Sequence, residues 1–319
     1  MSHIVECIRT VGRGERSRQS LTFEQAYQVM DDYLNGQVDD DQMGVLLMLI
    51  RVKNESKQEI AGFVKAFQQR IPAIGCDIDW PVYAGKRAAT GLPWYLIAAT
   101  LLAKQGKKVL LHGYDDPAVE REYAEPYLAA LSIPVAESAE DAKQLFLQGN
   151  IVYLPLHAFA PKALHMLNWK HKFGLKSPIN TVVRTLNPGG GTYGIRGSFH
   201  PGFARLHAEV ENEVGQNSHT VISIKGQSGE AEYNPKVSQT LYVSTPQGVE
   251  EHYWQERYSE QLSTPIQCQL GTPTDQHIAM ANSVVSTVAA LLFTEYQDRD
   301  KAYDEALEMW QHYVDLINQ

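Results

Sequence analysis

Apolar residues in the first seventy positions recur with the spacing of amphipathic helices. Thr22 with Gln25, and Ser56 with Glu59, have the spacing of capping boxes, and each pair precedes an apolar repeat of helical period. An irregular segment follows before the pattern changes. These signals predict a small helical domain over residues 1–76.

From residue 77 onward, short apolar runs alternate with helical repeats. Runs typical of buried strands lie at residues 109–112, 151–154, 219–225 and 240–244. Helical repeats lie at residues 92–105, 120–131, 158–173, 274–295 and 301–317. The alternation predicts an α/β domain with a largely parallel sheet over residues 77–319.

Residues 189–194 satisfy the G-x-G-x-x-G pattern of dinucleotide-binding loops. That fingerprint needs a strand before it, a helix directly after it and an acidic residue about 20 positions further on. Residues 195–201 do not start a helix promptly, so we interpret the segment as a glycine loop that binds no dinucleotide. Arg196 in this loop is still a candidate for a phosphate contact.

Basic and acidic residues are sorted along the chain. Residues 142–208 contain eight Lys or Arg and no Asp or Glu, and residues 80–114 contain five and none. The formal net charge is −9, so the rest of the chain has 15 basic and 37 acidic residues. Buried strands explain part of the earlier window, but the later one has a basic group too dense for a core, which predicts an anion-binding surface. That group is Lys170, His171, Lys172 and Lys176.

Other candidate chemistry is sparse. Three cysteines lie far apart along the chain, which is typical of isolated thiols in a reducing compartment. The histidines of the basic window have no carboxylate or cysteine beside them, which favours anion contacts over a metal site. The longest apolar run, residues 45–50, is too short for a bilayer, and the chain does not open like a signal peptide. We expect a cytoplasmic protein that does not enter a membrane.

Residues 226–232 follow a predicted strand and include Glu230 and Glu232. Two carboxylates in such a loop can hold a hard cation such as Mg²⁺. A solvated turn is the alternative interpretation of the same residues.

Segments over nearly the whole chain resemble one enzyme family. Three segments within residues 21–62 resemble the helical domain of anthranilate phosphoribosyltransferase, whose fold is shared with the pyrimidine nucleoside phosphorylases. Residues 111–113 resemble the family's Lys-His-Gly-Asn segment, and residues 185–188 resemble the end of its Gly-Pro-Leu-Thr-Asn-Pro segment. The resemblance implies the same fold, in which helices near residues 161–173 join the small domain beside the hinge.

The resemblance also implies losses at the phosphate and metal positions. The family's Gly-Thr-Gly-Gly-Asp loop, which holds the pyrophosphate of phosphoribosyl pyrophosphate, corresponds to residues 82–87, where one glycine is left. The family's magnesium-binding Asp-Glu pair corresponds to Ala231 and Glu232, so one ligand is missing unless Glu230 replaces it. Because glycine permits close approach of the backbone to a ligand, these changes imply that ordinary anthranilate transfer is lost.

A divergent branch of the family, typified by the bacterial YbiB proteins, shows the same losses and an opening similar to residues 11–18. Members of that branch form dimers and bind nucleic acid through basic grooves with little sequence preference. By this resemblance we expect a cleft between the domains that binds phosphates. Its expected residues are Lys86, Arg87, His112, Lys162, Lys170, His171, Lys172, Lys176 and Arg196.

Apolar stripes on two predicted helices indicate a homodimer. A small helical domain cannot bury both stripes internally, so we expect a second copy to cover them. The stripes comprise Ala26, Val29, Met30 and Tyr33, and Val45, Leu46 and Leu49.

Three functions remain open from the sequence. The favoured hypothesis is a homodimer that has lost transferase activity, needs no cofactor and binds single-stranded DNA or RNA through a basic groove. The alternative is a transferase that uses phosphoribosyl pyrophosphate and Mg²⁺ with anthranilate or another acceptor. In the third, the groove binds another polyanion or an acidic partner protein. Fold alone does not choose among them.

Overall fold

Helices form the N-terminal part of the computed structural model, which describes residues 2–214 and 219–319. The predicted capping boxes are confirmed, because Thr22 and Ser56 each accept the N–H of the third helical residue, whose side chain accepts the cap's N–H in return. Local sequence therefore determines where these two helices begin. The helices are α1 (His3–Val11), α2 (Phe23–Leu34), α3 (Asp40–Lys53) and α4 (Lys57–Gln68).

The apolar stripe of α2 is buried within a single copy of the chain. α2 packs against α4, and the two backbones approach so closely that a Cβ on Gly62 would lie 2.5 Å from the carbonyl oxygen of Phe23. α4 therefore covers this stripe, contrary to the expectation that a second copy covers it. On α3, Leu46 is also buried, whereas Val45 is 50% exposed and Val52 is 71% exposed.

A single mixed sheet forms the centre of the larger domain. Its strand order is β3-β2-β1-β4-β5-β6-β7. Neighbouring strands from β3 to β5 in this order pair in parallel, and β6 pairs antiparallel with both β5 and β7, which agrees with the predicted largely parallel sheet. The predicted α/β class is confirmed. Within the described residues the strands are β1 (Ile78–Val82), β2 (Val109–Gly113), β3 (Ile151–Pro155), β4 (Tyr193–Ser198), β5 (Thr220–Lys225), β6 (Gln239–Thr245) and β7 (Gly248–Trp254).

Two central strands differ from the sequence interpretation. β1 lies partly in the segment taken as irregular, and β4 lies in the segment taken as a glycine loop. Both carry charged residues, Asp79 and Arg196, that are buried at 1% and 0% exposure. A charge in the middle of a short run hides the strand pattern, although here the two charges neutralise each other.

Helices cover the sheet and connect its strands. The apolar segment Thr274–Tyr296 is long enough to cross a membrane, but 89% of its most apolar window is buried inside the protein, as in a core helix. The remaining α-helices of the described chain are α5 (Tyr95–Lys104), α6 (Ala139–Leu145), α7 (Leu156–Phe159), α8 (Pro161–Asn168), α9 (Lys170–Phe173), α10 (Ile179–Val182), α11 (Pro201–Glu213), α12 (His277–Tyr296) and α13 (Arg299–Ile317).

Proline changes two of the predicted helices. The helix expected at residues 120–131 is replaced by two short 3₁₀ turns, the first of which contains Pro126. The helix expected at residues 158–173 is divided into α7, α8 and α9, and Pro161 is the first residue of α8. Proline has no N–H to donate, so a helix that meets it must restart.

Helices α8 and α10 share a hydrophobic core with the N-terminal helices. Met166 and Trp169 at the end of α8, and Val182 at the end of α10, belong to the same buried cluster as α1 to α4. This packing brings residues from the middle of the chain beside the small domain. The domain boundary at residue 76 stays a prediction.

Candidate functional site

The loop between β1 and α5 lies at the carboxyl ends of the parallel strands, the usual ligand-binding edge of such sheets. Glu230, which follows β5, reaches into this loop. Its Oε1 accepts the N–H groups of Ala84 and Gly85 at 2.7 and 2.5 Å. Burial raises the pKa of Glu230, while Arg184 and the two N–H donors act in the opposite direction. The loop therefore encloses a carboxylate of the protein's own chain.

Lys86, in the same loop, is fully buried and paired. Its Nζ lies 2.5 Å from Oε1 of Glu232, and this oxygen also accepts the hydroxyl of Ser283. The other oxygen of Glu232 accepts the N–H of Tyr95. Burial lowers the pKa of Lys86, and Glu232 raises it. The prediction that Lys86 faces the cleft is wrong, because a buried ammonium already paired with a carboxylate has no surface for a polyanion.

Arg196 and His112 belong to a buried ion-pair network across the sheet. Arg196 Nη1 lies 2.8 Å from Asp79 Oδ2, and its Nε lies 2.6 Å from Glu211 Oε1. His112 Nε2 is 3.3 Å from Asp79 Oδ1, and its Nδ1 bonds the Tyr83 hydroxyl. Burial alone would raise the pKa of Asp79, but His112 and Arg196 hold it below its usual value. The predicted phosphate contacts of His112 and Arg196 are corrected: both side chains are internal.

Lys170 and His171 connect α9 to the segment after β2. Lys170 Nζ bonds the carboxylate of Asp116 and donates to the Tyr114 hydroxyl at 2.6 Å. His171 Nε2 lies 3.4 Å from the same carboxylate. Burial alone would raise the pKa of Asp116, but its bonds to Lys170 and Ala118 and the nearby charges keep it low. Lys170, 12% exposed, is thus neutralised internally, contrary to its predicted role as a free cation of the groove.

A cavity of about 320 Å³ lies between the helical domain and the sheet. Within residues 2–214 and 219–319, Arg87, Arg121, Lys176 and Arg184 have no carboxylate oxygen within 4 Å, and Arg51 has one at 3.9 Å. We call these five residues the cavity cations. The ionisable lining consists of Arg51, Glu55, Arg87, Arg121, Lys176, Arg184, His200 and His207.

Arg87 and Lys176 were predicted from the sequence, whereas the other three cavity cations were not. Arg51 lies in the last turn of α3, Arg121 lies in the segment after β2, and Arg184 follows α10. These segments are far apart along the chain, and no motif links them. Arg184 lies in the acid-free stretch of residues 142–208, but nothing in the sequence distinguishes it from the other basic residues there. Only the fold brings the five cavity cations together.

The electrostatics of the cavity indicate a surplus of positive charge. Burial and the neighbouring Arg184, Lys170 and Arg121 lower the pKa of Lys176 to about 8. Burial raises the pKa of Glu55, the carboxylate of the lining, to about 7, although Arg51 opposes the shift. The described lining has five Lys or Arg residues and one carboxylate, so an anion in this cavity would be bound favourably.

Aromatic rings lie beside the cations at the rim. Phe199 is 47% exposed, and the Arg87 guanidinium carbon lies 5.1 Å from its ring centre. The ring of His200 lies 5.2 Å from that of Phe199 and 6.2 Å from that of Phe203. The rim therefore offers exposed ring faces next to fixed positive charge.

Lys162 and Lys172, the remaining predicted cations, are exposed but do not line the cavity. Lys162 Nζ lies 5.0 Å from the ring centre of Tyr33. In the described part of the chain, neither lysine has a carboxylate within 4 Å. Their binding role stays a prediction.

Comparisons with known proteins agree with this architecture. Residues 5–71 match the helical bundle domain of the glycosyl transferase family. The YbiB protein of Escherichia coli (strain K12) is 27% identical over 238 residues, covering 72% of each chain. Anthranilate phosphoribosyltransferase of Geobacillus stearothermophilus is 27% identical over 215 residues, which are 66% of this chain and 62% of the enzyme.

A solved structure extends the likeness over the full length. Anthranilate phosphoribosyltransferase (TrpD) from Thermus thermophilus superimposes with a TM-score of 0.71 at 17% identity, covering 100% of both chains. The chain therefore has the fold of anthranilate phosphoribosyltransferase, and its sequence is similar both to that enzyme and to the YbiB protein.

Anthranilate phosphoribosyltransferase from Saccharomyces cerevisiae, solved in complex with PRPP and Mg, has the same fold, with a TM-score of 0.70 at 14% identity. In the present chain, Glu230 and Glu232 do not fit a magnesium ion. One oxygen of Glu230 is bonded to two N–H groups, and Glu232 is neutralised by Lys86. Among the residues described, no group of three or more His, Cys, Asp or Glu side chains could hold a metal ion.

Proposed function

We propose that this protein binds single-stranded nucleic acid in the interdomain cavity and along its rim, without transferase activity. One observation supports this most directly: four cavity cations have no carboxylate partner within the described chain, and one of them, Arg87, lies over the exposed ring of Phe199. Basic grooves with aromatic faces bind single strands, because phosphates meet the cations and unpaired bases stack on the rings.

The loss of transfer chemistry is supported by the loop below the cavity. A cation that bridges a pyrophosphate needs free carboxylate oxygens, but Glu232 is bonded to Lys86, Tyr95 and Ser283. Removing Lys86 from Glu232 would leave an uncompensated charge in the interior. The same carboxylate cannot neutralise Lys86 and hold a metal ion at once.

The binding should depend on charge and not on base sequence. Cations that contact phosphates carry no base information, so oligonucleotides of different sequence should bind alike. Each neutralised phosphate of a single strand lowers the slope of log affinity against log salt by about 0.7. DNA and RNA both have the phosphates and bases that these contacts require, so we expect either to bind.

The test is a titration of fluorescently labelled single-stranded DNA, followed by anisotropy at several salt concentrations. We expect saturable binding that weakens steeply with salt and differs little between homopolymeric and mixed sequences. Absence of binding at low salt would refute the proposed function. Binding of heparin or an acidic peptide with equal affinity and no preference for nucleic acid would instead support a general polyanion site.

A transferase with an altered acceptor is the second candidate. The position of the cavity at the carboxyl ends of the strands favours it, because small-molecule ligands bind at this edge. Calorimetry with phosphoribosyl pyrophosphate, with and without Mg²⁺, separates the two functions. We expect weak binding that Mg²⁺ barely improves and no phosphoribosyl anthranilate product. Magnesium-dependent micromolar binding or turnover would establish the transferase.

We further propose that the protein is a cytoplasmic homodimer. On α3, Val45, Met48, Leu49 and Val52 have the spacing of one helix face and are exposed or half-buried. Such a face is suited to a second copy in a two-fold dimer, and the free cysteines fit a reducing compartment.

Light scattering should give twice the mass of one chain, and replacing Val45 and Val52 together by Lys should give the monomer. The surface pair Lys57→Glu and Lys301→Glu serves as a charge-changing control that leaves the dimer intact. A parent protein that is monomeric at micromolar concentration would contradict this proposal.

A further inference from the structure

The loop between β1 and α5 has the geometry of an anion-binding site that the protein fills itself. Two successive N–H groups, those of Ala84 and Gly85, donate to the same oxygen of Glu230. Successive backbone N–H groups that converge on one point form a nest, a common binding element for phosphate. We infer that Glu230 is a built-in counter-anion that closes this nest to free phosphates and leaves the outer cavity cations to a polymer.

The nest is formed by a backbone conformation suited to glycine. Gly85 has a φ of +63°, and a Cβ there would lie 2.7 Å from the Cβ of Arg121 and 2.9 Å from the ring of Tyr123. The adjacent Arg121 donates to the Gly85 carbonyl oxygen at 3.2 Å. The loop is thus fixed by its surroundings in the shape that directs both N–H groups to one point.

Glu230 is held in place by its backbone as well as its side chain. A Cβ on Gly226 would lie 1.6 Å from the Glu230 carbonyl oxygen, and a Cβ on Gly197 would lie 2.2 Å from its carbonyl carbon. Arg184 donates to the carbonyl oxygens of Gly197 and Gly229 at 2.8 and 2.9 Å. Two side-chain-free positions and one arginine therefore fix the segment that carries the carboxylate.

The second oxygen of Glu230 shows that the nest determines the position of this side chain. Oε2 is buried and has no hydrogen-bond partner within the described chain. A carboxylate with one oxygen unsatisfied in the interior is stable only if the other oxygen is strongly bound, as it is here by two N–H donors. A phosphate oxygen would satisfy the same donors, so occupancy by Glu230 excludes it.

The experiment uses inorganic phosphate as the probe and compares three variants with the parent. Glu230→Ala empties the nest, whereas Glu230→Gln removes the charge but keeps a carbonyl oxygen against the same N–H groups. Glu256→Ala removes one exposed carboxylate elsewhere and controls for net charge. We expect Glu230→Ala to bind phosphate about tenfold more tightly than the parent, because charge-assisted bonds to both N–H groups become available. Glu230→Gln and Glu256→Ala should resemble the parent.

Backbone amide resonances locate the bound phosphate. In the parent, phosphate bound by the cavity cations can shift the Ala84 amide resonance, because Ala84 lines the cavity, but it should leave the Gly85 resonance unchanged. In Glu230→Ala both should shift. Equal gains for Ala and Gln would show that charge alone matters and would overturn the inference. If Glu230→Ala fails to fold, the parent spectrum decides, since a phosphate-induced shift of both amides would itself overturn it.

The biological role of the closed nest rests on the proposed function, but the experiments distinguish failure of the proposed function from failure of the inference about Glu230. If single-stranded DNA does not bind to the parent, the proposed function fails, while a phosphate site in Glu230→Ala still establishes the closed nest. If DNA binds and Glu230→Ala gains no phosphate affinity, only the inference about Glu230 fails.

Discussion

Lys86 and Arg87 are neighbours in the chain with the same charge and opposite environments. Lys86 is 0% exposed and bonded to Glu232, whereas Arg87 is exposed beside Phe199 and, in the described chain, has no carboxylate within 4 Å. This difference shows that the position of the acidic residues in the fold determines which cation can bind a polyanion. Basic content alone does not.

The same division applies to the acid-free stretch of residues 142–208. Four of its eight basic residues have a carboxylate within 4 Å, and that carboxylate comes from outside the stretch in each case. They are Lys143, Lys170, Arg196 and Arg205. Lys176 and Arg184 instead line the cavity. The fold therefore pairs half of the basic residues of this stretch with acidic residues that lie outside it in the sequence.

The largest expected effect comes from Lys86. Replacing Lys86 by Met should lower the free energy of unfolding by about 3–5 kcal/mol, because it leaves Glu232 buried and unpaired. Arg87→Met, one residue further on, should change it by less than about 0.5 kcal/mol. Urea denaturation of both variants measures the difference. Equal stability of the two variants would show that Lys86 and Glu232 are not the buried pair described here.

Sequence alone predicted the elements whose pattern is local. The capping boxes at Thr22 and Ser56 and the apolar runs of β2 and β3 needed no tertiary information. Strands β1 and β4 were missed because each contains a charged residue, Asp79 or Arg196. Each of these charges can be buried because it pairs with the other across the sheet. Buried ion pairs between distant strands are therefore what a single-sequence pattern cannot reveal.

Only part of the candidate site could be predicted, because pairing with distant carboxylates also decides which basic residues are available to a ligand. The density of positive charge predicted Lys176, and the resemblance of residues 82–87 to a pyrophosphate loop predicted Arg87. The same two criteria also selected Lys170 and Lys86, which are neutralised inside the protein. Whether a basic residue is free depends on carboxylates that are distant in sequence. That information exists only in the folded chain.

The second largest effect concerns the cavity cations themselves. Replacing Arg87 and Lys176 together by Met should weaken single-stranded DNA binding by about a hundredfold, since each charged contact contributes about tenfold. The salt slope should fall by about 1.4 units for two lost phosphate contacts. Anisotropy titrations measure both quantities. The control pair Lys57→Met and Lys301→Met, outside the cavity, should retain the parent's affinity and slope; an equal loss there would indicate nonspecific surface binding.

A smaller effect is expected from pH, through Lys176. Its pKa of about 8 means that it is charged at pH 7 and mostly neutral at pH 9, so DNA affinity should fall by about tenfold over that range. Lys176→Arg should bind without this decline, because arginine stays charged. Anisotropy titrations at pH 7, 8 and 9 test it, and a parent curve that Lys176→Arg does not flatten would contradict the assignment.

The contribution of the same lysine to stability should have the opposite sign. The folded pKa lies below the ordinary value of 10.5, so between about pH 8 and pH 10.5 the unfolded state binds more protons. Stability from this group therefore rises with pH through that window, while DNA affinity falls. Denaturation curves of the parent and Lys176→Arg at pH 7 and 9 separate the two effects.

The smallest effect is expected for Lys172, and it decides between the rim predicted from sequence and the cavity defined by the fold. Lys172 is exposed, lies outside the cavity lining and, within the described residues, has no carboxylate within 4 Å. A cation in that position acts on a bound strand only through its long-range field, which salt screens over about 8 Å at physiological ionic strength. Lys172→Met should therefore weaken DNA binding by less than about threefold, and the difference should vanish as salt is raised. If Lys172→Met loses as much affinity as Arg87→Met at every salt concentration, the strand follows the outer lysines, and freedom from carboxylates matters more than position in the cavity.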